Sequence, residues 1–155
     1  MDSGVLIYRS NVSDIIGSAE FDDLIEEYAA ESAIEGMPKP ATKIESYRVY
    51  EGLGMLHAFS ALRGNVMIGF ITVLAPVLPH YGVTVAVAES FFVAAAYRKT
   101  GAGLKLLEAA EETARVVGSP GLLVCAPFQG RLFEVLPRRG YTETNRVFFK
   151  RLYDA

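Results

Sequence analysis

The segment from Glu89 to Gly118, ESFFVAAAYRKTGAGLKLLEAAEETARVVG, constrains the fold more than any other stretch of the chain. Val and Phe crowd residues Val83 to Val93 as in a strand, and Leu104, Leu107, Ala110, Ala114 and Val117 then recur at helical spacing on one face. Between them stands Arg98-Lys99-Thr100-Gly101-Ala102-Gly103. A strand, a basic glycine loop and a helix in that order can hold an anion. The first N–H groups of a helix have no intrahelical partner, the helix dipole is positive there, and glycines let a phosphate approach the main chain. The alternative is an ordinary strand-to-helix turn whose basic residues are solvated. The chain has no G-x-x-x-x-G-K followed by Ser or Thr, so a P-loop is excluded. Leu106 stands where a dinucleotide-binding fingerprint needs its third Gly or Ala, which disfavours that motif.

Around this unit the sequence predicts a strand at Val5–Tyr8, then a helix whose apolar face is Phe21, Leu24, Ile25, Tyr28 and Ala29, capped by Ser13 or Ser18. Its outer side, Asp22, Asp23, Glu26 and Glu27, reads as a solvated acidic face, with a surface for a cationic substrate as the functional alternative. Ala41 to Glu51 forms a second helix, with Ile44 and Tyr47 on one side. Met55–Leu62 and Val66–Leu74 form a hairpin about Arg63-Gly64-Asn65, and Ala75–Gly82, with two prolines, is a loop. After the central unit come a short buried strand at Leu122–Cys125, a helix from Gly130 to Leu136 stopped by Pro137, and two antiparallel strands at Tyr141–Thr142 and Arg146–Leu152. The expected architecture is α/β (α+β): a mixed, mostly antiparallel sheet of six to seven strands with helices on both faces, in one domain spanning residues 1–155.

Composition narrows the setting. Hydrophobic residues make up 51% of the 155 and charged ones 21%, enough apolar surface for one sizeable core with an excess that suggests a homodimer interface. The longest apolar run, Val66 to Leu78, is shorter than the roughly 20 residues a membrane helix needs and contains Gly69 and Pro76. No secretory leader pattern is present at the start, and one cysteine cannot build a disulfide framework. Together these point to the cytoplasm. A net charge of -3 argues against a nucleic-acid surface, and no metal is expected.

Arg98, Gly101 and Gly103 fill the fixed positions of (R/Q)-x-x-G-x-(G/A), and the chain thereby resembles the GNAT superfamily of N-acetyltransferases over about residues 44 to 152. Phe91-Phe92-Val93 resembles that family's apolar strand end. Leu132–Leu136 followed by Gly140-Tyr141 resembles its short helix and turn into the last strands. His80 to Leu107 looks most like acetyltransferase-like proteins of tailed bacteriophages. The resemblance implies acetyl-CoA as donor, its pantetheine arm on the main chain of Phe91, Phe92 and Val93, with the Val93 amide as oxyanion donor, and its pyrophosphate on Arg98, Lys99, Thr100, Gly101, Ala102, Gly103 and Leu104. The acceptor is then a small-molecule or peptide amine. Arg131, Arg138 and Arg139 are candidates for the nucleotide 3′-phosphate, the alternative being solvated surface charge.

Glu89 is the sole carboxylate between Val83 and Tyr97 and shares strand parity with Val87, Phe91 and Val93. Without a bulge it faces the donor, and partial burial would raise such a carboxylate's affinity for an amine proton. The alternative is a structural carboxylate paired with Arg or a backbone donor. His80 can relay a proton and Tyr81 can orient the acceptor or protonate the leaving thiolate, although a loop histidine is more often solvated. His57 and Cys125 read as structural and core residues. Many family members place a tyrosine general acid where this chain has Phe133 or Leu136, neither of which carries a proton to give. A non-catalytic acyl-CoA-binding module and a nucleotide-binding regulatory domain are therefore the rival readings.

Overall fold

The computed structural model describes residues 4–40, 44–127 and 130–154. Five strands form the main sheet in the order β1-β2-β3-β6-β7: β1 (Val5–Ser10), β2 (Leu56–Arg63), β3 (Val66–Leu74), β6 (Ala86–Val93) and β7 (Leu122–Val124). A separate ladder joins β4 (Val77–Leu78) to β5 (Val83–Thr84). The helices are α1 (Val12–Ile16), α2 (Phe21–Ser32), α3 (Ile44–Gly52), α4 (Ala102–Val116) and α5 (Arg131–Arg138), with a 3-10 turn at Ala95–Thr100. Neighbours β1 to β6 in the main sheet are antiparallel, and β6 and β7 are parallel because α4 carries the chain back between them. This is the mixed α/β architecture that the sequence predicts, with its seven strands divided five and two.

Two apolar layers fix the faces. On one, Ala102, Leu106, Ala110 and Ala114 of α4 pack on Ile68, Ile71, Val73, Ala86, Ala88 and Val93. The three alanines of this i, i+4 row let α4 lie close to the sheet, and full burial of Leu106 contributes about 1.5–3 kcal/mol. Leu104 and Val117, expected on this seam, are half-buried beside it. On the other face Ile15, Phe21 and Leu24 cover Ala58, Met67, Phe70 and Phe92. The change of partner between Ala61/Gly69 and Leu62/Met67 leaves Ile68 as an extra residue in β3, which is how it joins Ile71 on the α4 face.

Several local expectations change. Neither Ser13 nor Ser18 caps a helix: Asn11 caps α1 in a reciprocal box with Asp14, and α2 has no side-chain cap. Residues 41–43 of the predicted second helix lie outside the described residues. The proline-rich loop contains β4, a two-residue strand between Pro76 and Pro79 that stays off the main sheet, where prolines remove no central ladder bond. Pro137 lies inside α5 rather than ending it, one residue before the helix finishes. β7 is an edge strand with Leu123 exposed, not a buried one. The two closing strands are absent: residues 141–152 belong to no helix or strand.

Gly69 faces Val93 across the ladder, and a Cβ there would lie 2.6 Å from Phe92 O. Gly69→Ala is therefore expected to force β3 and β6 apart and cost about 1–3 kcal/mol, read as a lower urea midpoint at unchanged slope.

Candidate active site

The ladder between β3 and β6 pairs Thr72 with Ser90 and Val73 with Ala88, so Glu89 is one residue too many. Before this bulge Ala86 and Ala88 face α4; after it Phe91 and Val93 do. Glu89 shares the face of Val87, as expected, but not that of Phe91 and Val93. With Ser90 it turns toward α2 and α3, and it is exposed rather than partly buried. The bulge thus corrects the uninterrupted alternation on which the sequence argument placed Glu89 on the donor side.

Side chains hold the carboxylate there. The Thr72 hydroxyl donates to Glu89 Oε2 at 3.1 Å and lies 2.6 Å from Ser90 Oγ. Since Thr72 has one proton to give, Ser90 is then the donor of the second pair. The Ser90 N–H also bonds Thr72 Oγ1, at 3.1 Å. Tyr47 of α3 stands over this group. Its phenol is held far above the usual tyrosine range, by burial first and then by the charge of Glu89 and a hydrogen bond to it. Tyr28 of α2 is raised as well, by burial and then by Glu89. The sequence marked Tyr47 only as one side of a helix; its role comes from the α3–β6 contact, which leaves no local signature.

The same point of β6 is where the sheet opens. Register with β7 ends at Ala88 and Val124, so from Glu89 to Val93 the edge on that side is bare among the described residues. Ala94 N–H donates to Ile68 O at 2.9 Å, so by alternation the main-chain groups of Phe92 and Ser90 also point to β3, and those of Phe91 and Val93 point into the opening. Phe92 is therefore misplaced for the pantetheine contact expected of it: its ring is buried with Tyr28 and Phe70 and its backbone faces β3.

At the end of β6 the loop takes the form the glycines suggested. Gly101 has φ +81°, a left-handed conformation, with open space where a Cβ would be, and no side chain caps α4. A Cβ on Gly103 would only touch Phe91 and Val93 at 3.8 Å, so packing within the chain does not require glycine there. Thr100 Oγ1 donates to Tyr97 O at 2.6 Å and accepts from Ala102 N at 3.3 Å. Lys99 is exposed, Leu104 half-buried, and the Ala102 side chain fully buried in the core.

Arg98 is committed within the protein. Its Nε donates to Val93 O at 3.0 Å, its Nη2 bonds Glu31 Oε2 at 2.6 Å, and its guanidinium lies over the Phe92 ring. Glu27, one turn earlier on α2, accepts from Ala95 N at 2.7 Å. Part of the helix's acidic side therefore fastens the loop instead of facing only water.

Other candidates are dispersed. His80 and Tyr81 lie edge to face at the exposed tip of the β4–β5 hairpin, at the end of β6 opposite the glycine loop. His57 Nδ1 pairs with Arg9 Nη2 at 2.7 Å, and its pKa is lowered by burial and then by the Arg9 charge, which fits a structural role. Arg131, Arg138 and Arg139 are exposed on and just after α5. Phe133 is 50% exposed and Leu136 is buried. Cys125, expected in the core, is exposed just after β7. Clefts of about 290 and 380 Å³ lie along β1 and β2, away from the opening, which is a parted sheet edge and not an enclosed cavity.

A sheet parted beside a bulge, with a glycine loop leading into a helix at its end, agrees with the acetyltransferase architecture that the sequence resembles. The chain belongs to the acetyltransferase (GNAT) family, whose profile matches residues 16–129. Among solved structures it is similar to the ribosomal-protein-alanine N-acetyltransferase of Brucella melitensis biovar Abortus 2308, with 15% identity over 97% of this chain and 99% of that one and a TM-score of 0.70. It is also similar to the aminoglycoside acetyltransferase meta-AAC0020 from an uncultured soil metagenomic sample in complex with sisomicin, with 19% identity over 98% and 99% and a TM-score of 0.71. AAC(6')-Iy in complex with the bisubstrate analog CoA-S-monomethyl-acetylneamine gives 20%, 97%, 99% and 0.72. At such identities the likeness is one of fold. No curated protein matches in sequence.

Because the charge of Glu89 and the bond to it both hold the Tyr47 proton on, Glu89→Gln is expected to lower the pH at which Tyr47 ionises. Burial keeps it above an ordinary tyrosine. Ultraviolet difference titration, with Tyr47→Phe as the subtraction control, measures the shift.

Proposed function

We propose that this chain is an acetyl-CoA-dependent N-acetyltransferase that passes an acetyl group directly to a primary amine while both substrates are bound. The observation that carries the reading is the coincidence, at Glu89, of a carboxylate facing α2 and α3 with the point where β6 parts from β7. Acetyl-CoA supplies the activated acyl group. Phe91 and Val93 offer main-chain donors along the opening, and the N–H groups of the α4 first turn, with Lys99 and Thr100, suit the pyrophosphate. Arg98 serves by fixing the loop and through its backbone.

The amine enters from the α2–α3 side. Glu89 takes its proton, directly or through water, while Thr72 and the Tyr47 hydroxyl hold the carboxylate in place. The freed nitrogen lone pair attacks the acetyl carbonyl, and an amide N–H on β6 stabilises the charge that develops on oxygen. Phe91 is two residues from Glu89, about 7 Å along a strand, and Val93 is about 13 Å away. The Phe91 amide is thus the better oxyanion donor than the Val93 amide the resemblance suggested. With Phe133 and Leu136 lacking a proton and Tyr81 at the hairpin tip, the C–S bond breaks as the oxyanion collapses, and the leaving thiolate takes, through water in the open edge, the second proton that the acylated nitrogen gives up.

Amine acceptors are in keeping with the matched structures, one named as a ribosomal-protein-alanine N-acetyltransferase and one holding sisomicin. Asp22, Asp23 and Glu26 on α2 favour a cation. The acidic balance disfavours nucleic acid, no described helix is long and apolar enough to cross a membrane, and the single cysteine suits the cytoplasm. A bacteriophage affinity rests on His80–Leu107 alone. The second reading, an acyl-CoA-binding module without catalysis, is favoured by Phe133 and Leu136.

Titration calorimetry should show acetyl-CoA binding that an Arg98→Ala, Gly101→Val double variant loses while remaining folded; a wild-type protein that binds no acetyl-CoA rejects the donor site. Glu89→Gln is expected to keep acetyl-CoA affinity and lose about 10²- to 10⁴-fold in amine-dependent thiol release. Unchanged release removes Glu89 as base. Binding with no release for any amine leaves the module reading. Preference for ATP or NAD over CoA in thermal-shift competition supports the nucleotide-binding rival.

A further inference from the structure

Arg9 of β1 is held by a base and not by an acid. Its Nη2 bonds His57 Nδ1 on β2 at 2.7 Å. A guanidinium has only donors, so Nδ1 accepts and the imidazole is neutral, with its one proton on Nε2. The lowered pKa of His57 agrees, through burial first and then the Arg9 charge. The guanidinium also lies over the Phe59 ring, its carbon 5.8 Å from the centroid. Arg9 enters no ion pair among the described residues, so it is oriented without its charge being cancelled. The His57 Nε2–H, meanwhile, is buried and meets no acceptor. Buried donors without a partner are few in native folds. An acid at position 57 would grip Arg9 more firmly and leave no donor unmatched, but it would neutralise the guanidinium.

That charge borders a cleft. Arg9, Asn11, Glu51 and His57 line a space of about 290 Å³ where the end of β1 and the start of β2 meet the end of α3. Small-molecule sites run from roughly 300 to 1,000 Å³, so the cleft suits a small ligand. Glu51 supplies the opposite sign. Its Oε2 accepts from Val12 N at 2.8 Å, and its other oxygen has no partner among the described residues. Glu51, like Arg9, enters no ion pair there. A cation and an anion thus line one cleft, each held by a neutral group and neither paired with the other.

We propose that this cleft binds a free amino acid, its carboxylate on the Arg9 guanidinium and its ammonium on Glu51. A guanidinium meets a carboxylate with two parallel N–H···O bonds, and Arg9 has N–H groups beyond the one given to His57. The Glu51 oxygen not used by Val12 accepts from the ammonium. A simple acid or a simple amine answers one of the two charges and leaves the other bare, so the site selects a molecule that carries both. The cleft includes no residue assigned to acetyl transfer, and the inference stands whether or not the chain transfers acetyl groups. Its one link to that chemistry is α3: Tyr47 stands one turn before Glu51, so a ligand that ties Glu51 to Arg9 braces the helix over Glu89.

Titration calorimetry of the full chain against each common L-amino acid in turn is expected to find at least one that binds. Propionate and ethylamine, which carry the two groups separately, are expected to bind about tenfold more weakly or less than that amino acid. Arg9→Gln and Glu51→Gln should each weaken it by about tenfold or more, with circular dichroism unchanged. Both variants are expected to fold, because Arg9 is exposed and a glutamine oxygen still accepts from Val12 N. A wild-type protein that binds no amino acid overturns the proposal, as does propionate or ethylamine binding as tightly as the amino acid. An amino acid that binds either folded variant as it binds the wild type sits elsewhere, and overturns it too. Should a variant fail to fold, the comparison with propionate and ethylamine on the wild type decides alone.

Discussion

One surplus residue in β6 sets which side of the sheet does what. If the strand alternated without interruption, facing Ala86 and Ala88 toward α4 would bring Ser90 there too, putting a hydroxyl into an apolar core. The bulge resets the alternation, so Phe91 and Val93 take those places and Glu89 turns the other way. A bulge leaves a ladder position unsatisfied, and here Thr72 compensates: its hydroxyl accepts from the Ser90 N–H and donates to Glu89. Core packing on the α4 face and the direction of the Glu89 carboxylate thus follow from the same bulge.

The second constraint is electrostatic and acts at the far end of the strand. Glu27 and Glu31 lie one turn apart on α2 and so share a face. One caps the N–H that opens the 3-10 turn, and the other takes the guanidinium of Arg98, whose Nε closes on Val93 O. The ion pair is partly exposed, and its worth as an isolated pair is small. Its effect is geometric: it fixes where the chain leaves β6, and so where Gly101 turns into α4.

What could be read from the sequence was what local chemistry decides. The glycine loop, the α4 seam and the β2–β3 hairpin each follow from spacing within a dozen residues, and each is present. Asn11 with Asp14 three residues on is an equally local signal, and it outcompetes the nearby serines as the cap. The direction of Glu89 was not legible, because the bulge depends on the partner strand offering Thr72. Nor was Tyr47, whose proximity to Glu89 depends on how α3 docks. The C-terminal strands show the limit most clearly: propensity marks Arg146–Leu152 as a strand, yet the segment forms none, because propensity cannot supply the edge a strand must pair with.

The brevity of β7 shapes both of its edges. Its ladder stops at Val124, and within three residues the chain reaches Pro127, which has no N–H to give a ladder and whose carbonyl accepts from Gly130 N at 2.9 Å in a turn. A longer β7 would have zipped onto β6 past the bulge, taking the main-chain groups of Phe91 and Val93 and shutting the opening beside Glu89. Stopping early leaves that inner edge bare among the described residues. It also leaves Leu122 and Val124 packed on the α4 core but half-exposed. The opening beside Glu89 and the half-exposed end of the α4 core therefore have one cause, the early end of β7.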